Sequence, residues 1–216
     1  MGISLSKGNA KLVKTSGEEY KVVGFGIPAD YSFDDNGVSM NTCPGATACR
    51  AVCYAKQGRY LMPNVMQARH DNLVASLSDT FVEDMVKALT KARTYNVVRI
   101  HDSGDFYNQT YLDKWSAIAS ALPGKIFYAY TKAHHLSFSN VPANLRIVRS
   151  LGGRWDKLVD LTQSHSRIFA TEQARIDAGY VDGNVNDIPA IEGVNKIGLV
   201  YHGVKKLTAA QSAYWV

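Results

Sequence analysis

The sequence predicts an α/β fold, a partial (βα)6-like barrel with mostly parallel strands. Three observations carry that expectation. Short apolar runs rich in β-branched and aromatic residues recur along the chain, and amphipathic helical repeats stand between several of them. From Asn96 onward the runs start about 20 to 30 residues apart, the spacing of βα units in a parallel sheet.

The elements follow in order. Lys21 to Ile27, KVVGFGI, is the first strand. A cysteine-bearing segment comes next, and its later half, Ala46 to Gln57, is expected to be helical. Val65 to Leu77 reads as a helix after Pro63 and Asn64. Asp79 or Thr80 suits the N-cap of another helix, with Phe81, Val82, Met85, Val86 and Leu89 on one face. Asn96 to His101, NVVRIH, is a strand that stops at Ser103-Gly104-Asp105. Tyr111, Leu112, Trp115, Ile118, Ala119 and Leu122 repeat at helical spacing until Pro123-Gly124 ends the pattern. Lys125 to Thr131, KIFYAYT, follows as a strand, and Arg146 to Arg149, Arg167 to Ala170 and Lys196 to Tyr201 are shorter candidates. An eight-fold barrel takes about 250 residues, so six strands on a chain of 216 suit a smaller, open barrel. The opening residues, Asp30 to Asn41 and Asp182 to Gly193 are rich in turn formers. Trp115 and Trp155 are assigned to the core.

Residues 1–216 read as a single domain, with a candidate cluster-binding loop over 42–60. Composition is that of a soluble globular protein, 46% hydrophobic and 20% charged. No apolar stretch is long enough to span a bilayer, and the N-terminus lacks the features of a signal peptide. The expected location is the cytoplasm, the host's if the gene belongs to a phage. A net charge of +5 without basic runs gives a nucleic-acid partner only weak support. A small molecule or a host protein is the alternative partner.

All three cysteines, Cys43, Cys49 and Cys53, lie in CPGATACRAVC. An odd number of cysteines in a cytoplasmic chain is no disulfide framework, and their clustering asks for a shared ligand. A structural zinc site needs four ligands, which His70 or His101 would have to complete here. A [4Fe-4S] cubane on three thiolates leaves one iron for a non-protein ligand. The cubane is the reading carried forward. Zinc and unligated thiols remain as alternatives.

In parallel βα folds the strands' C-terminal ends carry function. His101, Asp102, Ser103, Gly104 and Asp105 would follow the second strand there, Tyr130, Thr131 and Lys132 the third, Glu172 the Arg167 strand, and Tyr201 and His202 the last. Each also has a structural reading: turn and cap residues for HDSGD, solvated charge for Lys132 and Glu172, packing for Tyr128 and Tyr130, and loop for His134 and His135.

With those residues in view, the chain resembles the gene product 88 proteins of phages and plasmids, through TCPGATACRAVCYAKQGRY, VRIHDSGDFYNQTYLDKW and FYAYTK. It is more distantly similar to radical S-adenosylmethionine (SAM) enzymes. That resemblance implies a partial barrel whose first loop holds a [4Fe-4S] cluster on three cysteines. SAM would then chelate the fourth iron, and Ser103-Gly104-Asp105 would stand where a Gly-Gly-Glu element contacts the SAM amine. The spacing departs from that family's CxxxCxxC: here it is CxxxxxCxxxC, with Val52 where an aromatic residue is common and Tyr54 after the last cysteine. The expected function is therefore an iron–sulfur protein in electron transfer, redox sensing or host interaction. The alternatives are a radical-SAM-like enzyme and a zinc-containing nucleic-acid-binding module.

Overall fold

The apolar runs become strands, and each pairs in parallel with its neighbours. In the computed structural model, which describes residues 2–201, the chain opens with helix α1 (Ala10–Thr15), capped by the Asn9 side chain on the Lys11 N–H, and enters β1 (Val22–Phe25). A hairpin of β2 (Tyr31–Phe33) and β3 (Ser39–Asn41) precedes the cysteine segment. Then come α2 (Pro63–Leu77), α3 (Phe81–Lys91), β4 (Val97–Ile100), α4 (Gln109–Ala121), β5 (Ile126–Thr131) and β6 (Leu145–Ser150). The chain continues through β7 (His165–Phe169), α5 (Glu172–Asp177), β8 (Val181–Asp182), α6 (Ile188–Ile191) and β9 (Lys196–Val200). Seven strands make one curled, all-parallel half-barrel in the order β1-β4-β5-β6-β7-β9-β8.

Successive residues of a strand face opposite sides of a sheet, so each apolar run supplies two cores. Val23, Phe25, Val98, Ile100, Phe127 and Ala129 face the convex side. There they meet Leu73 of α2, Phe81, Met85 and Leu89 of α3, and Leu112, Trp115, Ile118 and Ala119 of α4. Trp115 packs edge-on to Phe25 and Phe81, with ring centroids 5.2 and 5.7 Å apart. Val22, Val97, Tyr128, Val148 and Ile197 face the concave side, which Leu12 of α1 and Ala190 and Ile191 of α6 cover. This double burial explains why β1 and β4 read as unbroken apolar runs.

Several expectations are corrected. The sheet has seven strands, not six, because the two-residue β8 adds an edge too short to show in the sequence. Ala46 to Gln57 is not an α-helix. It is helical only as 3-10 turns at Ala48–Val52 and Tyr54–Lys56, where Thr47 before the first turn and Tyr54 opening the second donate to the carbonyls of Gly152 and Asp102, far along the chain. The turn-rich stretch Asp30 to Asn41 contains the hairpin, and the one from Asp182 to Gly193 contains α6. Thr80 does stand at the N-cap of α3, but its side chain accepts no backbone N–H of that helix. It donates to Asp84 at 2.9 Å instead. Trp155 is half-buried and lies against the exposed His135 ring at 3.9 Å, outside the core. No helix among the described residues is long and apolar enough to cross a membrane.

Candidate metal centre at the strand ends

The C-terminal ends of three strands seat the cysteine loop. Thr42 donates through its hydroxyl to the carbonyls of Pro28 (2.6 Å) and Asp30 (2.9 Å), and its own carbonyl accepts the Asp105 N–H at 2.9 Å. Beyond β5, a Cβ on Gly45 would stand 2.0 Å from the Lys132 carbonyl oxygen, so only glycine permits that approach. Beyond β6, the Gly45 carbonyl accepts the Arg154 N–H at 2.9 Å, Ala46 bridges Gly153, and the Thr47 hydroxyl donates to the Gly152 carbonyl at 3.1 Å. Arg50 closes the loop from inside, donating to the Cys43 carbonyl at 3.1 Å and pairing with Asp30 at 3.2 Å.

All three thiols are half-buried. The Asp30 N–H donates to Cys43 Sγ at 3.3 Å, and the Ala55 N–H serves the Cys53 sulfur. Burial, then the Asp105 carboxylate, pushes the Cys43 thiol up to about 12, and burial also raises Cys53. Cys43 lies within electrostatic reach of both other cysteines, and Lys132 within reach of Cys49. Soft thiols on one loop, amide donors on two sulfurs and a buried ammonium nearby form a donor set whose chemistry fits an anionic iron–sulfur cubane. The side chains stand as free thiols, however: no three His, Cys, Asp or Glu groups among the described residues converge closely enough to hold an ion. Convergence would re-orient short 3-10 turns, which are easier to rearrange than a regular helix. Two protonated thiols also mean that ligation displaces protons.

The remaining sequence-predicted residues divide. Ser103, Gly104 and Asp105 do lie beside the cysteine loop. Gly104 takes φ +81°, and a Cβ there would stand 2.3 Å from Ile27. The Ser103 hydroxyl donates to the Ile27 carbonyl at 2.7 Å. The Asp105 carboxylate accepts from the Phe106 N–H (2.7 Å), the Thr131 hydroxyl (2.6 Å) and the Lys132 N–H (2.8 Å), tying the end of β4 to that of β5. Burial raises its pKa to about 6 against those hydrogen bonds. Lys132 reaches past the end of β5 to Ser150 Oγ at 2.9 Å and to the Leu151 carbonyl.

His101 turns the other way. It takes φ +66° and packs on the convex side against Phe106, with Nε2 3.0 Å from the Tyr111 hydroxyl, and burial lowers its pKa to about 3. Glu172, the first residue of α5, spends its carboxylate on Arg175 of the same helix. Tyr130 faces the concave side, its hydroxyl 3.4 Å from Asp187. His202 lies outside the described residues.

Sequence reasoning missed two groups. The first is a clasp from α2: Arg69 donates to Asp102 at 2.7 Å and to the Ser103 hydroxyl at 2.6 Å, and stacks 4.5 Å over Tyr60. Tyr54 donates to the Asp102 carbonyl at 2.6 Å; its ring is exposed while its hydroxyl is enclosed, and burial raises its pKa. The second is a buried charge cluster on the concave side. Asp187 accepts from Arg99 (2.9 Å), the Tyr128 hydroxyl (2.9 Å) and Lys11 (2.8 Å), and its N–H donates to Thr15 Oγ1 at 2.9 Å. Burial would raise the Asp187 pKa, but Arg99 and Lys11 outweigh it and hold the group below its ordinary value. An arginine inside the apolar run VVRI was the signal that could have pointed here.

A family model described as Gene product 88 matches residues 3–213. Gene 88 protein of Mycobacterium phage D29 is 29% identical over 154 residues, covering 60% of this chain and 61% of the phage protein. Gene 88 protein of Mycobacterium phage L5 is 29% identical over 151 residues, covering 58% and 60%. The chain thus spans about three fifths of the length of these curated relatives. No solved structure matches it. The family match runs through the cysteine loop, all the strand ends that seat it and the buried charge cluster, and on that evidence the chain belongs to the Gene product 88 family.

Proposed function

We propose that this chain is an iron–sulfur protein of phage type that holds one [4Fe-4S] cluster through Cys43, Cys49 and Cys53. Its role would be electron transfer, redox sensing or host interaction. The observation that supports this best is the placement of three thiols on one loop seated across three strand ends, two of them receiving amide donors. When bound, such a cluster supplies one-electron redox chemistry. The N–H donors of Asp30 and Ala55 and the ammonium of Lys132 favour the more negatively charged state. The Thr42, Gly45 and Thr47 anchors keep the loop on its seat.

A radical-SAM-like enzyme is the second reading. The backbone bond from Asp105 to Thr42 favours it, because that bond sets the Ser103-Gly104-Asp105 turn next to Cys43. In this reading the turn's backbone would meet the SAM amine, since the Asp105 carboxylate already serves three donors.

Anaerobic purification with iron and sulfide quantification tests the first reading. The expected result is brown protein with about four irons per chain. Colourless protein with stoichiometric zinc refutes it, as does a full iron complement in Cys49→Ala. EPR of the reduced protein with and without SAM separates the two readings, because only the enzyme's signal changes on SAM addition.

A further inference from the structure

We infer that the concave face of the half-barrel carries a binding site for a small oxyanion, a carboxylate or phosphate group held by the side edge of Arg99 and by Lys11. The inference does not rest on the cluster.

Arg99 is only 8% exposed, and its guanidinium is half used. Nη1 donates to Asp187, whereas Nε, fully enclosed, has no hydrogen-bond partner among the described residues, and Nη2 makes no hydrogen bond among them either. Nε and Nη2 form the fork that grips a carboxylate or phosphate with two parallel hydrogen bonds. A buried donor left unmade costs free energy, so this edge asks for an acceptor.

Charge makes the same demand. Lys11 and Arg99 share one carboxylate, Asp187, which leaves a surplus positive charge in an enclosed place. The neighbouring groups do not cancel it. Asp102 is paired with Arg69, Asp182 acts on Lys11 less than Asp187 and Arg99 do, and burial raises the pKa values of Tyr54, Tyr128 and Tyr130, which keeps them neutral. One anion on the open fork would restore neutrality. Lys11, with 22% of its side chain exposed and its ammonium 5.7 Å from the Tyr130 ring centre, marks the approach from solvent.

The test is NMR on the wild-type protein as purified, following the Arg99 Nε–H resonance. Sodium formate, inorganic phosphate and sodium chloride are titrated separately at matched ionic strength. The expected result is a saturable shift at millimolar formate or phosphate, with chloride producing none; the stronger of the two anions identifies the ligand class. Arg99→Lys keeps the charge opposite Asp187 but loses the fork, and anion-dependent stabilisation against heat should disappear in it. No shift of the wild-type resonance with either oxyanion, or an equal shift with chloride, overturns the inference, as does undiminished anion-dependent stabilisation in Arg99→Lys.

Discussion

Replacing Asp187 by Asn keeps the shape of the side chain and removes its charge. Asp187 is fully buried and accepts from Arg99, Tyr128 and Lys11. An amide offers those donors one oxygen and sets an NH2 against the others, leaving two cations without a counter-charge. Breaking a buried pair costs about 3–5 kcal/mol. Lys11 keeps 22% of its side chain in solvent and can relax outward, so Arg99 dominates and the lower end, about 3 kcal/mol, is expected. For a chain of this size each kcal/mol moves Tm by about 2–4 °C, which gives a fall of about 6–12 °C. Thermal unfolding followed by circular dichroism at pH 7 reads it, and urea unfolding gives the free energy directly. Adding Arg99→Met to Asp187→Asn should recover part of the loss by removing the stranded cation. Because the Asp187 pKa is depressed in the fold, its contribution is present above the ordinary carboxylate range and vanishes as pH falls through the lowered value. A single Asn variant within about 0.5 kcal/mol of wild type would show that the ion cluster does not hold the concave face together.

Other outcomes follow from the same geometry. Burial lowers His101 to about 3 and His134 to about 4, so each is neutral in the fold and protonated in the unfolded chain below its ordinary pKa. Stability should therefore fall by about 1.4 kcal/mol per pH unit for each histidine as pH drops from about 6.5 towards those values. His101→Gln should remove one such slope in urea titrations across that range; an unchanged slope would mean the ring is already charged. Gly45→Ala forces a methyl against the Lys132 carbonyl, so limited proteolysis should cut within 42–60 faster than in wild type, and iron content should drop. Equal protection would show that the loop is not seated by that contact.

Much of the architecture was legible because β1 and β4 are buried on both faces, which leaves a continuous apolar run in the sequence. Helix α3 was legible because Phe81, Met85 and Leu89 recur on one face and all sink into the core. The position of the cysteine loop after the first strand followed from that order. Its conformation did not, since 3-10 turns there are fixed by Thr47 and Tyr54 reaching strand ends far along the chain. His101 looked like a strand-end functional group, but a left-handed backbone turns its ring into the aromatic core. The Arg99–Asp187 pair joins residues 88 positions apart, and no periodicity can announce a contact of that kind.

The seat of the cysteine loop also sets an order of events during synthesis. Thr47 and its acceptor Gly152 are 105 residues apart, and Gly45 lies against the Lys132 carbonyl and is bonded by Arg154, so the thiols leave the ribosome well before the surfaces that grip them exist. At about 5–20 residues per second that interval lasts roughly 5–20 s. During it the three cysteines sit on a nascent chain, exposed to oxidants, stray metal ions and cluster-delivery proteins alike. Metal delivered after β6 is in place would find a positioned loop, whereas metal captured earlier would find an unstructured ribbon with three reactive thiols. For the proposed cluster, the long reach of these anchors would make loading a late step, one whose fidelity depends on keeping the young chain reduced until its second half arrives.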